Sequence, residues 1–272
     1  MRDLENVACY VCGITDSRPW AEENGFSAVR CVGCGLVYVN PRPTRSAISR
    51  AAQSGMHEGA RTLDETGGRD GRKVGAYRRR LQALFAPSEL AQRGSRVWLD
   101  FGCGFGEFLE ALQLESDGQL SLRGSEPNER KATAARARGF AVSFRDLAQE
   151  ERRYAFISML NVFSHLPDPP QLLALLRCLL LPAGELLLQT GNWAELERSA
   201  IRDRLHLPDH LSFASESIIR RLLDAAGFQL LSVQRYPMFS GGFLRHLVPT
   251  RFRAENTTQP CDLWFRARLL EK

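Results

Sequence analysis

Four of the seven cysteines fall into two knuckles near the N-terminus, Cys9-Tyr-Val-Cys12 and Cys31-Val-Gly-Cys34. Two residues between cysteines let both sulfurs of one turn point at the same ion. A second knuckle eighteen residues later completes a tetrahedral thiolate shell of the kind zinc prefers. Four thiolates leave no open coordination position, so the expected ion holds a fold together and does no Lewis-acid chemistry. The leading residues MRDLENVACYVCG carry acidic side chains and no apolar signal region. Paired cysteines then read as metal ligands in a cytoplasmic protein before they read as disulfides.

A second constellation is Asp100 followed by Gly102-Cys103-Gly104-Phe105-Gly106. Glycines there let a backbone approach a ligand closely, and a helix start beyond them offers unpaired N–H groups. The spacing is GxGxG, so it is not the GxGxxG of dinucleotide sites, and no lysine stands where a phosphate-binding P-loop needs one. Glu126 lies about twenty residues on, where a carboxylate can accept both hydroxyls of a ribose.

These groups need elements to hold them. The stretches Phe26 to Arg30 and Leu36 to Val39 read as strands around the second knuckle, a zinc ribbon over residues 1–43. Asp16 to Gly25 reads as a loop carrying Trp20, and Asn40-Pro-Arg-Pro43 ends the ribbon. Residues 44–94 read as a helical linker or lid: a helix capped by Thr44, a polar loop from Gly55 to Lys73, then Tyr77, Leu81, Leu84 and Phe85 at helical spacing. From residue 95 to 272 strands and helices alternate. Strands are expected at Arg96–Phe101, Leu120–Ser125, Phe140–Phe144, Tyr154–Asn161, Gly184–Thr190, Phe228–Gln234 and Cys261–Leu269. Seven strands with intervening helices make a doubly wound α/β sheet. Composition agrees: 44% hydrophobic and 25% charged residues suit a soluble globular chain, and Arg177, Pro182, Gly184 and Glu185 break the longest apolar run.

With Asp100-Phe-Gly-Cys-Gly-Phe-Gly106 as a first motif and Gly124-Ser-Glu126-Pro-Asn128 as a second, the chain resembles the class I S-adenosylmethionine-dependent methyltransferases. Asn161 to Pro169 stands at the segment after the fourth strand, where many relatives carry a Glu-His pair; here Ser164 replaces the glutamate, and that acid's role is not transferred. The resemblance implies a Rossmann-like, seven-stranded methyltransferase sheet. It implies that Gly102, Cys103, Gly104 and Gly106, with Asp100, surround the methionine part of S-adenosylmethionine. Glu126 and Pro127 would serve the ribose, Asp146 and Leu147 the adenine, Asn161 the pocket floor, and Tyr77 the cofactor carboxylate. The ribbon, the domain and His206-Leu-Pro-Asp-His-Leu-Ser-Phe213 together are similar to a bacterial subgroup of small-molecule and sugar methyltransferases acting on carbon or oxygen.

Within that resemblance the protein must align an acceptor and, where the acceptor carries a proton, remove it. Histidine suits proton removal near neutral pH. The order of preference is His210, then His206, then His165; His57 and His246 are weaker. Ser212 is a candidate helix cap that His210 would brace. The segment Tyr236 to Arg253 reads as an insertion serving substrate selection or dimer contact. The expected partner is a small-molecule acceptor, the assembly a monomer or homodimer, and no membrane is implied. A formal charge of +5 permits RNA contact, making an RNA methyltransferase the first alternative. Its ribbon is barely basic, since Asp16, Glu22 and Glu23 offset Arg18 and Arg30. The second alternative is a non-catalytic accessory protein that binds S-adenosylmethionine.

Overall fold

The computed structural model describes residues 3–56, 68–93, 96–144, 147–201, 203–237 and 260–270. The N-terminal part contributes β1 (Leu4–Glu5), β2 (Ser17–Glu23), β3 (Phe26–Cys31), β4 (Val37–Val39) and β5 (Arg42–Pro43). Asp16 to Gly25 is therefore mostly strand and not a loop. β2 pairs antiparallel with β3, and the register shift between Pro19 and Ala21 lets a proline and the bulky Trp20 sit in that strand. Arg42 and Pro43 likewise pair with β1 instead of simply ending the ribbon.

Two helices follow. Thr44 caps α1 (Arg45–Ser54) as expected, and Asp70 caps α2 (Gly71–Leu84), which takes in the last three residues of the stretch read as loop. The Asp70 carboxylate satisfies the Arg72 N–H, so the glycine at the first helical position is tolerated. Most of the intervening loop lies outside the described residues.

The remaining strands are β6 (Val97–Phe101), β7 (Ser121–Ser125), β8 (Ala141–Ser143), β9 (Tyr154–Leu160), β10 (Leu180–Gly191), β11 (Ser212–Phe213), β12 (Phe228–Pro237) and β13 (Cys261–Leu269). The helices are α3 (Glu107–Glu115), α4 (Glu129–Arg136), α5 (Pro169–Leu179) and α6 (Glu216–Ala225). Seven strands form one sheet in the order β12-β13-β10-β9-β6-β7-β8. β13 runs antiparallel to both neighbours, and the rest from β10 to β8 are parallel. Every residue of β9 is buried, as a central parallel strand covered on both faces requires. On one face Trp98 stacks on Phe156 at 4.6 Å beneath α2 and α3. On the other, α5 and α6 close a core that continues without a break into β3 and β4.

That continuity has a strand behind it. β11, from the segment between β10 and α6, pairs antiparallel with β4, giving a second sheet ordered β11-β4-β3-β2. Ser212 is thus a strand residue bonded into the ribbon sheet. The cap of α6 is Ser215, whose hydroxyl accepts from the Ile218 N–H at 3.2 Å. A two-residue strand at Ser212–Phe213 leaves only Ala214 and Ser215 before the helix, so the cap falls three residues later than expected.

Candidate functional site

The four cysteines come together. Their sulfurs all lie within 4.8 Å of one another, with Cys9–Cys34 and Cys12–Cys31 each at 3.4 Å, and no disulfide joins them. Four thiolates at about 2.3 Å from a zinc ion would stand roughly 3.8 Å apart. Burial pushes the Cys9 and Cys34 thiols up from their ordinary range, while hydrogen bonds from the Cys34 and Gly33 backbone and from Cys12 and Cys9 outweigh burial at Cys31 and lower it. The residues fit a structural zinc ion.

The glycine turn is fastened to the neighbouring strand. The N–H groups of Gly102 and Cys103 both donate to the Ser125 carbonyl, at 2.7 and 3.1 Å. Gly102 has φ +77°, and any Cβ there would run into Val162, so only glycine permits this approach. Gly104 donates its N–H to Glu126 Oε2 at 2.9 Å, while Glu126 Oε1 accepts from the Asn128 N–H at 2.9 Å. Glu126, only 7% exposed, therefore faces the turn from the next strand. Gly106 caps α3 with no side-chain partner, leaving that helix start without a competing side-chain acceptor. A close backbone, an aimed carboxylate and an open helix N-terminus fit a nucleoside cofactor.

Asp100 sits behind the turn, 2% exposed, accepting from Ser158 Oγ at 2.6 Å; Ser158 in turn accepts from Trp98 Nε1 at 2.9 Å. Burial pushes its carboxyl up to about 7, assisted by the charges of Glu126 and Glu107 and opposed by the Ser158 bond. Cys103 is buried against Phe140 and Val142. Tyr77 stands edge-on to Phe108 and Trp264, at 5.3 and 6.1 Å. Burial raises its phenol, with Asp100, Glu107 and Asp262 adding to the shift, so those acids lie around it. Pro127 bridges Glu126 and the α4 cap Asn128. Leu147 opens a short helical turn and packs against the core, whereas Asp146 lies outside the described residues.

Beyond the ends of β9 and β10 lies a cavity of about 160 Å³, lined by Asn161, Thr190, Trp193, His210, Phe213 and Asp262 among others. Asn161 occupies left-handed backbone at φ +56°. Its N–H donates to Gln189 Oε1 at 2.8 Å, and Gln189 Nε2 donates to Asp262 at 3.0 Å. Trp193 stacks on Phe213 at 5.5 Å. Ser164, in the place of the familiar glutamate, also lines this cavity.

The three preferred histidines are brought together. His210 lies 4.7 Å from His165 and 5.9 Å from His206, ring to ring. His210 Nδ1 lies 2.8 Å from the Leu205 carbonyl; it is therefore the protonated nitrogen, and Nε2 carries the lone pair. Burial and the neighbouring His165 push His210 down to about 3, against the pull of Asp209 and the Leu205 carbonyl. Burial would lower His165 as well, but its contacts to the Asp209 carboxylate and carbonyl, at 3.1 and 2.9 Å, outweigh it and the net shift is upward. His206 is exposed and holds φ +58°. His57 and His246 lie outside the described residues, as does most of the Tyr236 to Arg253 segment; Tyr236 and Pro237 belong to β12.

Sequence reasoning missed Asp209, Trp193, Thr190 and Asp262. Each is an ordinary residue in its own segment, and only the fold assembles them. It also missed how the ribbon holds this wall. Tyr10 Oη lies 3.0 Å from Ser212 Oγ, Glu23 accepts from the Leu205 and His206 N–H groups at 2.8 Å each, and Asn24 donates to the Leu207 carbonyl at 2.7 Å.

A methyltransferase-domain model matches residues 70–233, more than half of the chain. The chain belongs to the methyltransferase domain family. Its seven-stranded sheet and glycine turn are those of a class I S-adenosylmethionine-dependent methyltransferase, and the chain is such an enzyme. Among solved structures it is similar to a protein assigned as a sarcosine dimethylglycine methyltransferase from Galdieria sulphuraria, at 16% identity and a TM-score of 0.53, over 72% of this chain and 85% of that one. It is similar to the cyclase SpnF, at 18% identity and 0.52, over 76% and 86%. A Haloferax volcanii complex of a methyltransferase with the Trm112 methyltransferase activator aligns at 14% identity and 0.51, over 75% and 100%. At these identities the likenesses establish the fold. No curated protein matches the sequence. Among the described residues no helix is long and apolar enough to cross a membrane.

Proposed function

We propose that the protein methylates a small-molecule acceptor, at carbon or oxygen, in the cavity bounded by Asn161, Trp193 and His210. Glu126 held against the Gly104 N–H, with Gly102 packed against Val162 next to the cavity-lining Asn161, supports this reading. The cofactor would be held by Gly102 to Gly106 and Glu126, with Tyr77, Asp100, Pro127, Asp146, Leu147 and Asn161 around it. S-Adenosylmethionine supplies a methyl group already activated by its sulfonium. The chain's own residues then orient the acceptor and draw off its proton. A histidine receives that proton, and His210 is the member of the cluster on the cavity wall, its Nε2 lone pair free of the Leu205 bond. Zinc at Cys9, Cys12, Cys31 and Cys34 would brace the wall from behind.

An RNA acceptor is disfavoured because two of the three arginines in the described part of the ribbon are turned inward, Arg18 alone being exposed. Arg30 donates to the Ala194 and Leu196 carbonyls, and Arg42 to Glu5 and the Pro167 carbonyl. Neither is displayed to a phosphate backbone. Calorimetry with S-adenosylmethionine and S-adenosylhomocysteine tests the core of the proposal. Micromolar or tighter binding is expected; no binding by the zinc-loaded protein overturns it. Methyl transfer to any small acceptor would exclude the non-catalytic reading.

A further inference from the structure

The histidine cluster has the make-up of a second metal site. His165, Asp209 and His210 each place one ligand atom within 4.8 Å of the other two. His165 Nδ1 stands 3.1 Å from Asp209 Oδ1. Two donors on one ion with bonds of about 2.0–2.2 Å are separated by roughly 3.0–3.5 Å, so the pair lies within ligand spacing; the same Nδ1 stands 2.9 Å from the Asp209 carbonyl, a contact the cation would displace. His210 directs its other nitrogen at the Leu205 carbonyl, 2.8 Å away. That outer bond fixes ring and tautomer in the way metal-bound imidazoles are held. The histidines come from separate loops, after β9 and after β10. Asp209 is an immediate chain neighbour of His210 yet turns its carboxylate to His165, so the fold gathers the three donors at one point.

We propose that His165, Asp209 and His210 bind one divalent transition-metal cation at the edge of the acceptor cavity, distinct from the four-cysteine site. Two imidazoles and one carboxylate favour Zn²⁺, Co²⁺, Fe²⁺ or Mn²⁺ over Ca²⁺ and Mg²⁺. Three protein ligands leave positions open, in contrast to the closed tetrathiolate shell. Its role, though not its binding, rests on the methyl-transfer reading. A hydroxyl of the acceptor brought against the cation becomes acidic, and its proton passes to solvent beside the exposed His206. The oxygen lone pair then forms the bond to the methyl carbon as the carbon–sulfur bond breaks, leaving a neutral thioether. A cation bound there would take over the proton-removing role proposed above for His210, which would then serve as its ligand.

The test is titration of tag-free, zinc-loaded protein with Co²⁺ while S-adenosylhomocysteine is bound. One cobalt per chain should bind beyond the zinc, with visible bands of nitrogen and oxygen ligation and no thiolate charge-transfer band. H210A and D209N should each weaken that cobalt at least tenfold while the affinity for S-adenosylhomocysteine, which reports folding, stays within twofold. No cobalt beyond the zinc, or a cobalt indifferent to both variants, overturns the site. Because the nucleoside is measured in the same samples, a protein that binds it without the extra cobalt loses this site and keeps the methyltransferase reading. Loss of nucleoside binding in the parent protein would strike the latter alone.

Discussion

The corner proposed for the cofactor and the corner proposed for the acceptor adjoin where Gly102 packs on Val162, next to Asn161, yet they are built in opposite ways. The first is a single stretch, Asp100 to Asn128, in which one strand, one turn and the next strand supply backbone, helix start and carboxylate. Its bonds are local, with Gly102 and Cys103 held by Ser125 and Gly104 by Glu126. The second is gathered from loops after β9 and β10, from β13, and from the ribbon behind them. A local site survives disturbance elsewhere in the chain. A gathered one depends on whatever holds its pieces in register, here β4 and the residues around Cys9.

Metal removal should separate the corners most sharply. Structural zinc contributes on the order of 10 kcal/mol to the folding of small thiolate modules, and this ribbon is too small to keep its form without it. Stripping the four-cysteine site, or C9S, should raise amide exchange across 205–213 by at least about tenfold, since β11 and the Leu205 and His206 amides lose their partners. Exchange across 100–128 with S-adenosylhomocysteine bound should change by less than about twofold. Equal exposure of both corners would show that they fold as one unit.

Asp100 gives the next largest effect, confined to the cofactor corner. Unfolded, its carboxyl titrates at the ordinary 3.8; folded, burial holds it at about 7. Between those values the native state keeps a proton that the unfolded chain has released, so the contribution of Asp100 to stability falls as pH rises. Above about 7 both states are ionised and the full penalty, as much as about 4 kcal/mol, stands. D100N retains an acceptor for Ser158 and has no such penalty. Urea unfolding at pH 5 and pH 8 should therefore show D100N gaining relative to the parent protein at the higher pH. Parallel behaviour at the two values would mean that Asp100 ionises freely.

Glu126 comes third. E126Q removes the charge that a ribose would meet, and charge-assisted hydrogen bonds are worth about 1.5–3 kcal/mol. Affinity for S-adenosylhomocysteine should fall between about tenfold and a hundredfold, and melting temperature by a few degrees, because either the Gly104 or the Asn128 N–H loses its acceptor. A variant that binds as well as the parent would take the glutamate out of the cofactor site.

The same contrast explains what could be read from the chain alone. The sheet, the helices and the glycine turn were legible because strand periodicity, caps and glycine spacing are local signals, and Asp100 and Glu126 sit at strand ends that such signals locate. The cysteines were legible because a knuckle is four residues long. The histidines could be named from their chemistry, but their convergence could not, since it depends on a two-residue strand. Ser212 and Phe213 are too short a run to show alternation, and a serine just ahead of an amphipathic helix looks like its cap. Trp20 misled for a related reason: a proline beside it disguises a bulged edge strand as a loop. Asp209 was invisible as a partner of His165, because nothing within one loop reports a carboxylate arriving from another.

The smallest effect is the one that tests whether the ribbon shapes the acceptor corner or merely abuts it. Tyr10 follows Cys9 of the four-cysteine cluster, and its hydroxyl lies 3.0 Å from Ser212 Oγ, which lines the cavity beside His210. Y10F and S212A should each lower stability by about 1 kcal/mol, the net value of one partly buried hydrogen bond, and the double variant should cost little more than either. Urea denaturation of the four proteins gives the coupling energy. If the effects simply add, the bond contributes nothing and the ribbon acts through β11 alone. If they couple and amide exchange at Ser212 and Phe213 rises in Y10F with Cys9 still ligated, then this one hydroxyl connects the cysteine cluster to the acceptor wall.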